Sequence, residues 1–424
     1  MTDKHRARTI GNRTLSPESL MMGYGYDPRL SEGSLKPPIF LTSTFVFQSA
    51  AEGKHFFEGI TGARPGGSDG LVYGRFNGPD QEILEDRLAL WESADDALVF
   101  STGMSAITTA LMAHVKAGEA IVHSGPLYAA TEKLIGSIFG AFDVSYADFA
   151  AGASMDQVRE VIEKVRSTRR IGVIYLESPA NPTNELVDIK GIAALRDELY
   201  RDEQANAPVI IVDNTFLGPV FQQPTRLGAD LSVYSLTKYV GGHSDLVAGG
   251  VVGNRKAIGP VMALRNTIGT ITDPHTAWML LRSLETVALR MNRAEQNART
   301  VCEFLRDHPN VASVGYLGFL KPESEQGRIF REQCSGAGST FSVLVKGGET
   351  QAFAILDNLR LVKLAVSLGG TESLASHPAA MTHLSVPKAR RDQLGITDNL
   401  VRVSIGIEDP DDLVADFAQA LNSF

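Results

Sequence analysis

Short apolar runs alternate with helical patterns through the middle of the chain, and this alternation constrains the fold more than any other feature. Six runs have the length and β-branched composition of buried strands: 97–100, 120–122, 170–176, 209–212, 231–234 and 247–252. Helical spacing of apolar residues separates several of them, at 81–91, 105–115 and 129–139. Because parallel strands need crossover connections, the alternation predicts an α/β fold with a mostly parallel sheet covered on both faces.

The segments on either side of this region have a different character. Residues 1–75 are rich in Gly, Pro, Ser and Thr, which predicts loops and an extended arm. A long helical pattern over 275–307 is expected to carry the chain into a smaller second domain. Further strands are predicted at 340–345, 361–367 and 401–405, and a closing helix at 411–421. The predicted organisation is therefore an arm (1–75), a large domain (76–280) and a C-terminal domain (281–424).

Composition narrows the possible classes of protein. The chain has 424 residues, a net charge of −9 and no basic run, so nucleic acid is not an expected partner. Its two cysteines offer neither a disulfide framework nor a metal site. No secretory signal and no apolar stretch long enough to cross a membrane is visible. We therefore expect a soluble, cytoplasmic protein that uses no metal.

The segment Tyr234-Ser235-Leu236-Thr237-Lys238-Tyr239 follows one of the predicted strands and carries the most chemistry. Burial penalises a lysine ammonium, lowers its pKa and makes the amine a nucleophile toward aldehydes. The aldehyde best known for binding to lysine is pyridoxal 5′-phosphate (PLP), whose phosphate Ser235 and Thr237 would hold. The alternative is a lysine at a strand end that reaches water between two ordinary hydroxyl residues.

Other polar residues stand at comparable places, and each has an ordinary alternative. Asp213 ends a buried run, where it would keep a pyridine nitrogen protonated or simply cap the next turn. Gly103 lies in a small-residue turn before a helix, which suits an anion. Tyr128 would stack on a pyridine ring or belong to the core. Arg402, on an apolar strand, needs either a substrate carboxylate or a structural ion pair.

In their order and spacing, these segments resemble the Cys/Met-metabolism family of PLP-dependent enzymes. That family includes cystathionine γ-synthase, cystathionine γ-lyase, cystathionine β-lyase and methionine γ-lyase. The resemblance runs from Pro-Pro-Ile-Phe-Leu-Thr-Ser-Thr-Phe at 37–45 to Arg-Val-Ser-Ile-Gly-Ile-Glu at 402–408. Ser-Pro-Ala-Asn-Pro-Thr at 178–183 and Ser-Leu-Gly-Gly at 367–370 are its most specific parts, with the Lys238 segment. It implies a fold-type I PLP-dependent transferase fold, with a seven-stranded sheet and a smaller C-terminal α/β domain.

The resemblance also implies a role for each matching residue. Lys238 would form the Schiff base with PLP and move protons, Asp213 would contact the pyridine nitrogen, and Tyr128 would stack on the ring and act as acid or base. The phosphate ligands that it implies are Gly103, Met104, Ser235 and Thr237, with Tyr73 and Arg75 from a neighbouring subunit. The implied ligands of the substrate carboxylate are Asn181, Ser367 and Arg402. The shared site implies a homo-oligomer, a dimer at minimum, and the family is usually a tetramer built from dimers.

The substrate is harder to predict, because the chain matches no named member throughout. Val366 stands where enzymes that handle cystathionine commonly have Glu, and it agrees with methionine γ-lyases. Ala130, Arg265-Asn266 and the segment 75–80 depart from the methionine γ-lyase pattern. We predict γ-elimination or γ-replacement on an L-amino acid, closest to methionine γ-lyase. The alternatives are an O-linked substrate such as canavanine or O-acylhomoserine and, in another class, a PLP-binding module without catalysis.

Overall fold

The computed structural model describes residues 4–60, 63 and 70–423. Its N-terminal region contains short elements, listed here in chain order: β1 (Thr9–Ile10), β2 (Arg13–Thr14), α1 (Pro17–Leu20) and α2 (Ala50–Ile60). Helix α2 was not predicted, because few of its residues are buried and its apolar pattern is short. Parts of the predicted arm (1–3, 61–62 and 64–69) lie outside the described residues. The arm is thus partly helical instead of wholly extended.

A seven-stranded sheet lies at the centre of the region that follows helix α3 (Pro79–Glu92). Its strands are β3 (Asp96–Phe100), β4 (Ala120–Gly125), β5 (Ser145–Ala150), β6 (Ile171–Glu177), β7 (Val209–Asp213), β8 (Leu231–Ser235) and β9 (Gly249–Gly253). They are ordered β3-β9-β8-β7-β6-β4-β5, and β9 alone runs against the others. The predicted mostly parallel sheet is confirmed. Strand β5 was missed because it lies at the edge and only one of its residues is fully buried.

Helices cover both faces of this sheet. They are α4 (Gly103–His114), α5 (Ala129–Lys133), continued by a π-helical turn Leu134–Phe139, α6 (Met155–Arg166), α7 (Ile189–Leu199) and α8 (Arg255–Ile268). Val173 and Tyr175 belong to the core under α4 and α8, whereas Ile174 and Leu176 belong to the core under α6 and α7. Alternate residues of one strand therefore enter opposite layers, as the period of two requires.

The C-terminal region is built on a smaller sheet. Its elements are α9 (Pro274–Leu284), α10 (Val287–Asp307), β10 (Val311–Gly315), α11 (Glu325–Gln333), β11 (Thr340–Val345), α12 (Glu349–Asn358), β12 (Lys363–Leu364), β13 (Leu374–Ser376), α13 (Lys388–Gln393), β14 (Leu400–Ser404) and α14 (Pro410–Leu421). The five strands are ordered β10-β11-β14-β13-β12.

Two predictions for this region need correction. The helical pattern over 275–307 is two helices, because the chain breaks at Glu285-Thr286 between α9 and α10. The strand expected at 361–367 is reduced to Lys363–Leu364, and Val366, beyond its end, lines a cavity instead. The predicted boundary between residues 280 and 281 falls inside helix α9. Within the described ranges, no helix is both long and apolar enough to cross a bilayer.

Candidate active site

The carboxyl ends of four parallel strands of the large sheet (β4, β6, β7 and β8) meet at a cavity of about 240 Å³. Open α/β sheets bind ligands at this edge. Residues 366 and 368 and strand β14 close the cavity from the C-terminal side. Nine of the residues selected from the sequence line it: Gly103, Met104, Tyr128, Asn181, Asp213, Ser235, Thr237, Lys238 and Arg402.

Lys238 lies in the turn that follows β8, and its side chain is half-buried in the cavity. The ammonium nitrogen Nζ donates a hydrogen bond to Ser367 Oγ at 2.7 Å. Burial, and then the positive charge of Arg402, lower the pKa of Lys238 to about 8. A useful fraction of this amine is therefore neutral, and hence nucleophilic, near neutral pH.

A buried arginine that was not selected from the sequence holds the Lys238 turn. Arg290, on α10, donates to the carbonyl oxygens of Tyr239 at 2.7 Å and Val240 at 3.1 Å. Gly242 makes room for it, because a Cβ there would lie 1.8 Å from Arg290 Nη1 and its φ is +68°. The only sign of Arg290 in the sequence was that an arginine stands at a position of the helical pattern that is buried.

Asp213 ends β7, and its carboxylate is oriented by hydroxyl groups. Oδ1 accepts hydrogen bonds from the backbone N–H of Thr215 at 3.0 Å and from its hydroxyl at 2.6 Å. The Tyr175 hydroxyl donates to Oδ2 at 3.4 Å. Burial raises the pKa of Asp213, and the Thr215 hydrogen bonds oppose that rise. Asp213 therefore caps the next turn and also lines the cavity, so the two readings of this residue are compatible.

A second buried carboxylate stands beside the first. Glu177 pairs in register with Asp213 on the neighbouring parallel strand and lines the same cavity. Its Oε2 accepts the backbone N–H of Tyr128 at 2.7 Å. Burial, and then repulsion from Asp213, raise the pKa of Glu177 well above its usual range. The signal in the sequence was a second acid at a strand end.

The start of helix α4 forms an anion cradle. Thr102 and Ser105 cap this helix through reciprocal hydrogen bonds of 2.9 and 3.0 Å, which leaves the N–H groups of Gly103 and Met104 outside the cap. A Cβ at Gly103 would lie 3.0 Å from the Cα and Cβ atoms of Ser235. Only glycine therefore allows these two segments to approach so closely.

Thr237 and Ser235, the two hydroxyl residues selected beside Lys238, differ in the hydrogen bonds that they already make. Thr237 Oγ1 donates to the carbonyl of Ala248 and accepts its N–H, both at 3.1 Å. The Ser235 backbone N–H donates to Thr215 Oγ1 at 2.9 Å, and the Ser235 side chain borders the cavity. The Ser235 hydroxyl is the more available of the two for a ligand.

Arg402 lies on β14 and is 3% exposed. Its Nη1 donates to Asn181 Oδ1 and its Nη2 to the carbonyls of Val366 and Ser367, each at 3.2 Å. Burial lowers the pKa of Arg402 to about 10. Among the residues that the structure describes, no carboxylate forms an ion pair with it, so a structural ion pair does not account for this residue. A buried guanidinium without an acid is suited to an anionic ligand.

Tyr73 and Arg75 are not brought to this cavity. Tyr73 is 42% exposed and pairs with Thr44 in an isolated bridge. The Arg75 guanidinium donates to the carbonyl of Asn266 and lies 4.8 Å from the centre of the Phe76 ring. Within one chain, these two residues are separate from the other selected site residues.

Comparison with known proteins adds to this geometry. The family model described as "Cys/Met metabolism PLP-dependent enzyme" matches residues 18–422. L-methionine gamma-lyase from Fusobacterium nucleatum subsp. polymorphum is 37% identical over 392 residues, which are 92% of this chain and 94% of that protein. Cystathionine gamma-synthase from Mycobacterium bovis is 39% identical over 406 residues, 96% of either chain.

A solved structure agrees with the sequence comparisons. The crystal structure of metB from Corynebacterium glutamicum has a TM-score of 0.84 and 34% identity, and the match covers 96% of this chain and 98% of that chain. The predicted fold class is thereby confirmed. The chain belongs to the Cys/Met metabolism family of PLP-dependent enzymes, and PLP is its cofactor.

Proposed function

We propose that this protein is a γ-lyase or γ-replacement enzyme closest to methionine γ-lyase, acting on an L-amino acid with a leaving group at Cγ. In its lyase form, methionine and water give 2-oxobutyrate, methanethiol and ammonia. The observation that carries the proposal is that Lys238 and Arg402, one an amine of lowered pKa and the other a cation without an acid, line the same cavity. An amino acid offers a carboxylate to Arg402 and an α-proton to the Lys238 amine.

The residues present fit PLP. The phosphate would be held by the N–H groups of Gly103 and Met104 and by Ser235 and Thr237. The absence of a side chain at Gly103 leaves room for it, because a Cβ at this position would contact Ser235. Asp213 would contact the pyridine nitrogen, and Tyr128, 41% exposed at the cavity wall, would stack on the ring. When bound, PLP supplies an aldehyde that captures amino groups and a ring that accepts electrons from the substrate α-carbon.

The chain's own residues would orient the substrate and move its protons. Arg402, with Asn181 and Ser367, would grip the α-carboxylate and so fix the position of Cα relative to Lys238. Lys238 Nζ would take a proton from Cα, deliver it to the cofactor and then, neutral again, take a proton from Cβ; its pKa of about 8 suits such a base near neutral pH. Tyr128 would serve as acid or base near the leaving group.

An apolar side chain beside the carboxylate ligands supports an uncharged leaving group. Val366 lines the cavity one residue before Ser367, and it can neither donate nor accept a side-chain hydrogen bond. A distal ammonium group near Val366 would gain no side-chain partner there, which disfavours cystathionine relative to a thioether without a distal charge, such as methionine.

A second candidate is γ-replacement on an O-linked substrate, as in cystathionine γ-synthase, or γ-elimination from canavanine. The 39% identity to cystathionine gamma-synthase supports it. The departures from the methionine γ-lyase pattern at Ala130 and Arg265-Asn266 support it as well.

For the assembly, we propose a cytoplasmic homotetramer built from dimers with shared active sites. The exposed Tyr73 and the distance of Arg75 from its own cavity support a role of both residues in a neighbouring subunit. We also propose the division into an arm (1–75), a PLP-binding domain (76–280) and a C-terminal domain (281–424).

A product assay on the PLP-loaded protein tests the proposed function. Methionine, homocysteine, cystathionine, O-acetylhomoserine, O-succinylhomoserine and canavanine are each tested with and without an added thiol. Release of 2-oxobutyrate with ammonia identifies a γ-lyase, and the fastest substrate identifies the leaving group. An amino-acid product that keeps its nitrogen identifies a replacement enzyme. If neither methionine nor homocysteine is turned over, the proposal that a thiol is the leaving group is contradicted.

A further inference from the structure

The departures from the family pattern at Arg265 and Asn77 meet in one buried cluster. Arg265, on α8, is 1% exposed, and its Nη1 lies 2.5 Å from the carboxylate of Glu85 on α3. The same nitrogen donates to the carbonyl of Val99 at 3.1 Å. Asn77 Nδ2 donates to the other carboxylate oxygen of Glu85 at 3.0 Å. The charges of Arg265 and Glu85 are therefore paired with each other inside the protein, and Asn77 adds a hydrogen bond to the pair.

This cluster also fixes the backbone of the segment that contains Tyr73 and Arg75. Arg265 Nη2 donates to the carbonyl of Phe76 at 3.0 Å. The next residue of α8, Asn266, accepts the Arg75 guanidinium on its carbonyl oxygen. Two consecutive residues of helix α8 thus hold two consecutive residues of the segment. Neither the helix residues nor the segment residues line the cavity of their own chain.

We propose that Arg265, Glu85 and Asn77 form a clamp that positions Tyr73 and Arg75 for the PLP site of a neighbouring subunit. The proposal rests on the shared active sites proposed above. The clamp residues are positioning residues, because they hold the segment and touch neither cofactor nor substrate. Their effect is exerted on the other subunit's Lys238 site and not on the site of their own chain.

The physical reason is preorganisation. A segment already fixed before assembly loses little conformational entropy when it contacts a phosphate, so the phosphate binds more tightly. Arginine suits the task because its planar fork reaches Glu85, Val99 and Phe76 together, whereas a lysine ammonium is a single point. Arg265→Lys keeps the charge and removes the fork.

The first test measures the dissociation constant of PLP from the cofactor-free protein by absorbance titration. We expect Arg265→Lys to raise this constant about tenfold, and Asn77→Gly, which leaves the ion pair intact, to raise it about threefold. Arg255→Lys, an exposed position on the same helix, is the matched control and should leave it unchanged. Unchanged PLP affinity in Arg265→Lys overturns the proposal. If that variant does not fold, unchanged affinity in Asn77→Gly overturns it.

The second test asks in which subunit the clamp acts. Arg265→Lys chains are assembled with Lys238→Ala chains, and PLP at a limiting concentration is fixed on Lys238 with borohydride and measured by mass spectrometry. Labelling of the Arg265→Lys chain should return to the wild-type value in the mixed oligomer, since its PLP site then faces an intact clamp. Labelling as low as in the Arg265→Lys homo-oligomer overturns the proposal.

Arg75→Ala in the same two assays separates this inference from the shared site on which it rests. Suppose that Arg75→Ala weakens PLP binding and that its labelling is restored in mixed oligomers, whereas the labelling of Arg265→Lys is not restored. The proposed role of the clamp is then wrong, and the shared site stands. If neither variant changes PLP affinity, the shared site and the clamp both fall.

Discussion

Replacement of Arg402 with methionine should abolish recognition of the substrate carboxylate and leave the fold intact. Methionine has a similar length and no charge, so the buried volume is kept. An arginine has five N–H donors, and three of those on Arg402 are used by Asn181, Val366 and Ser367. The remaining donors are available to the carboxylate of an amino acid.

The expected loss follows from these donors. Two hydrogen bonds to a charged group contribute about 1.5–3 kcal/mol each, so we expect a loss of about 3–6 kcal/mol in transition-state binding. This corresponds to a fall in kcat/KM of roughly 10²- to 10⁴-fold, most of it in KM.

Stability should change much less. Burial lowers the Arg402 pKa to about 10, which means that the buried charge costs about 3 kcal/mol. Its removal offsets most of the three hydrogen bonds that are lost, because bonds of 3.2 Å to uncharged oxygens lie at the weak end of the range for a charged donor, about 1.5 kcal/mol each. We therefore expect the free energy of unfolding to stay within about 2 kcal/mol of the wild-type value.

Steady-state kinetics with two substrates test this reasoning. L-Methionine should lose the full factor in Arg402→Met, whereas L-methionine amide, which has no carboxylate, should be an equally poor substrate of both proteins. The exposed Arg360, replaced with methionine in the same way, is the control and should change neither substrate. An equal loss for methionine and its amide would refute the assignment, because Arg402 would then act on something other than the carboxylate.

Three further predictions follow from the cavity. The rate at which the cofactor-free protein captures PLP should rise with pH to a plateau, because only the neutral amine of Lys238 reacts, and the midpoint should lie near its pKa of about 8. A midpoint near 10.5, the ordinary lysine value, would show that burial does not lower the pKa of Lys238. Glu177→Gln keeps an oxygen that accepts the Tyr128 N–H and removes a carboxyl group whose pKa is raised by burial. The stability that such a group contributes is lost as pH rises above the pKa of the unfolded chain, so the Tm of the variant should gain on that of wild-type cofactor-free protein as pH rises above about 5; a Tm difference that does not change with pH would count against the raised pKa. Gly103→Ala puts a Cβ 3.0 Å from the backbone of Ser235, so calorimetry should show about 1–3 kcal/mol of destabilisation together with weaker PLP binding, and wild-type affinity would show that the cradle tolerates a methyl group.

The large sheet was predictable because its central strands are buried on both faces and read as continuous apolar runs. Strand β5 was not, since an edge strand with mixed exposure lacks that signal. The break between α9 and α10 was also hidden. The apolar spacing continues past Glu285 and Thr286, and neither residue is a strong helix breaker.

The site divides in the same way. Lys238 and Asp213 were predictable because each follows a buried strand, and parallel strands bring their carboxyl ends together. Arg290 was not, because its function depends on carbonyl oxygens some fifty positions earlier in the chain, which no local pattern records. The partners of Arg402 lie 35, 36 and 221 positions away in sequence, so its contacts could be identified only from the fold.

The central claim is tested most directly by the product stoichiometry with L-methionine. The PLP-loaded protein is incubated with this substrate, and 2-oxobutyrate, ammonia and methanethiol are measured beside a Lys238→Ala control. Equal amounts of the three products from the wild-type protein, and none from the control, are the predicted result. Absence of 2-oxobutyrate from the wild-type protein, with PLP bound to every Lys238, would contradict the methionine γ-lyase assignment.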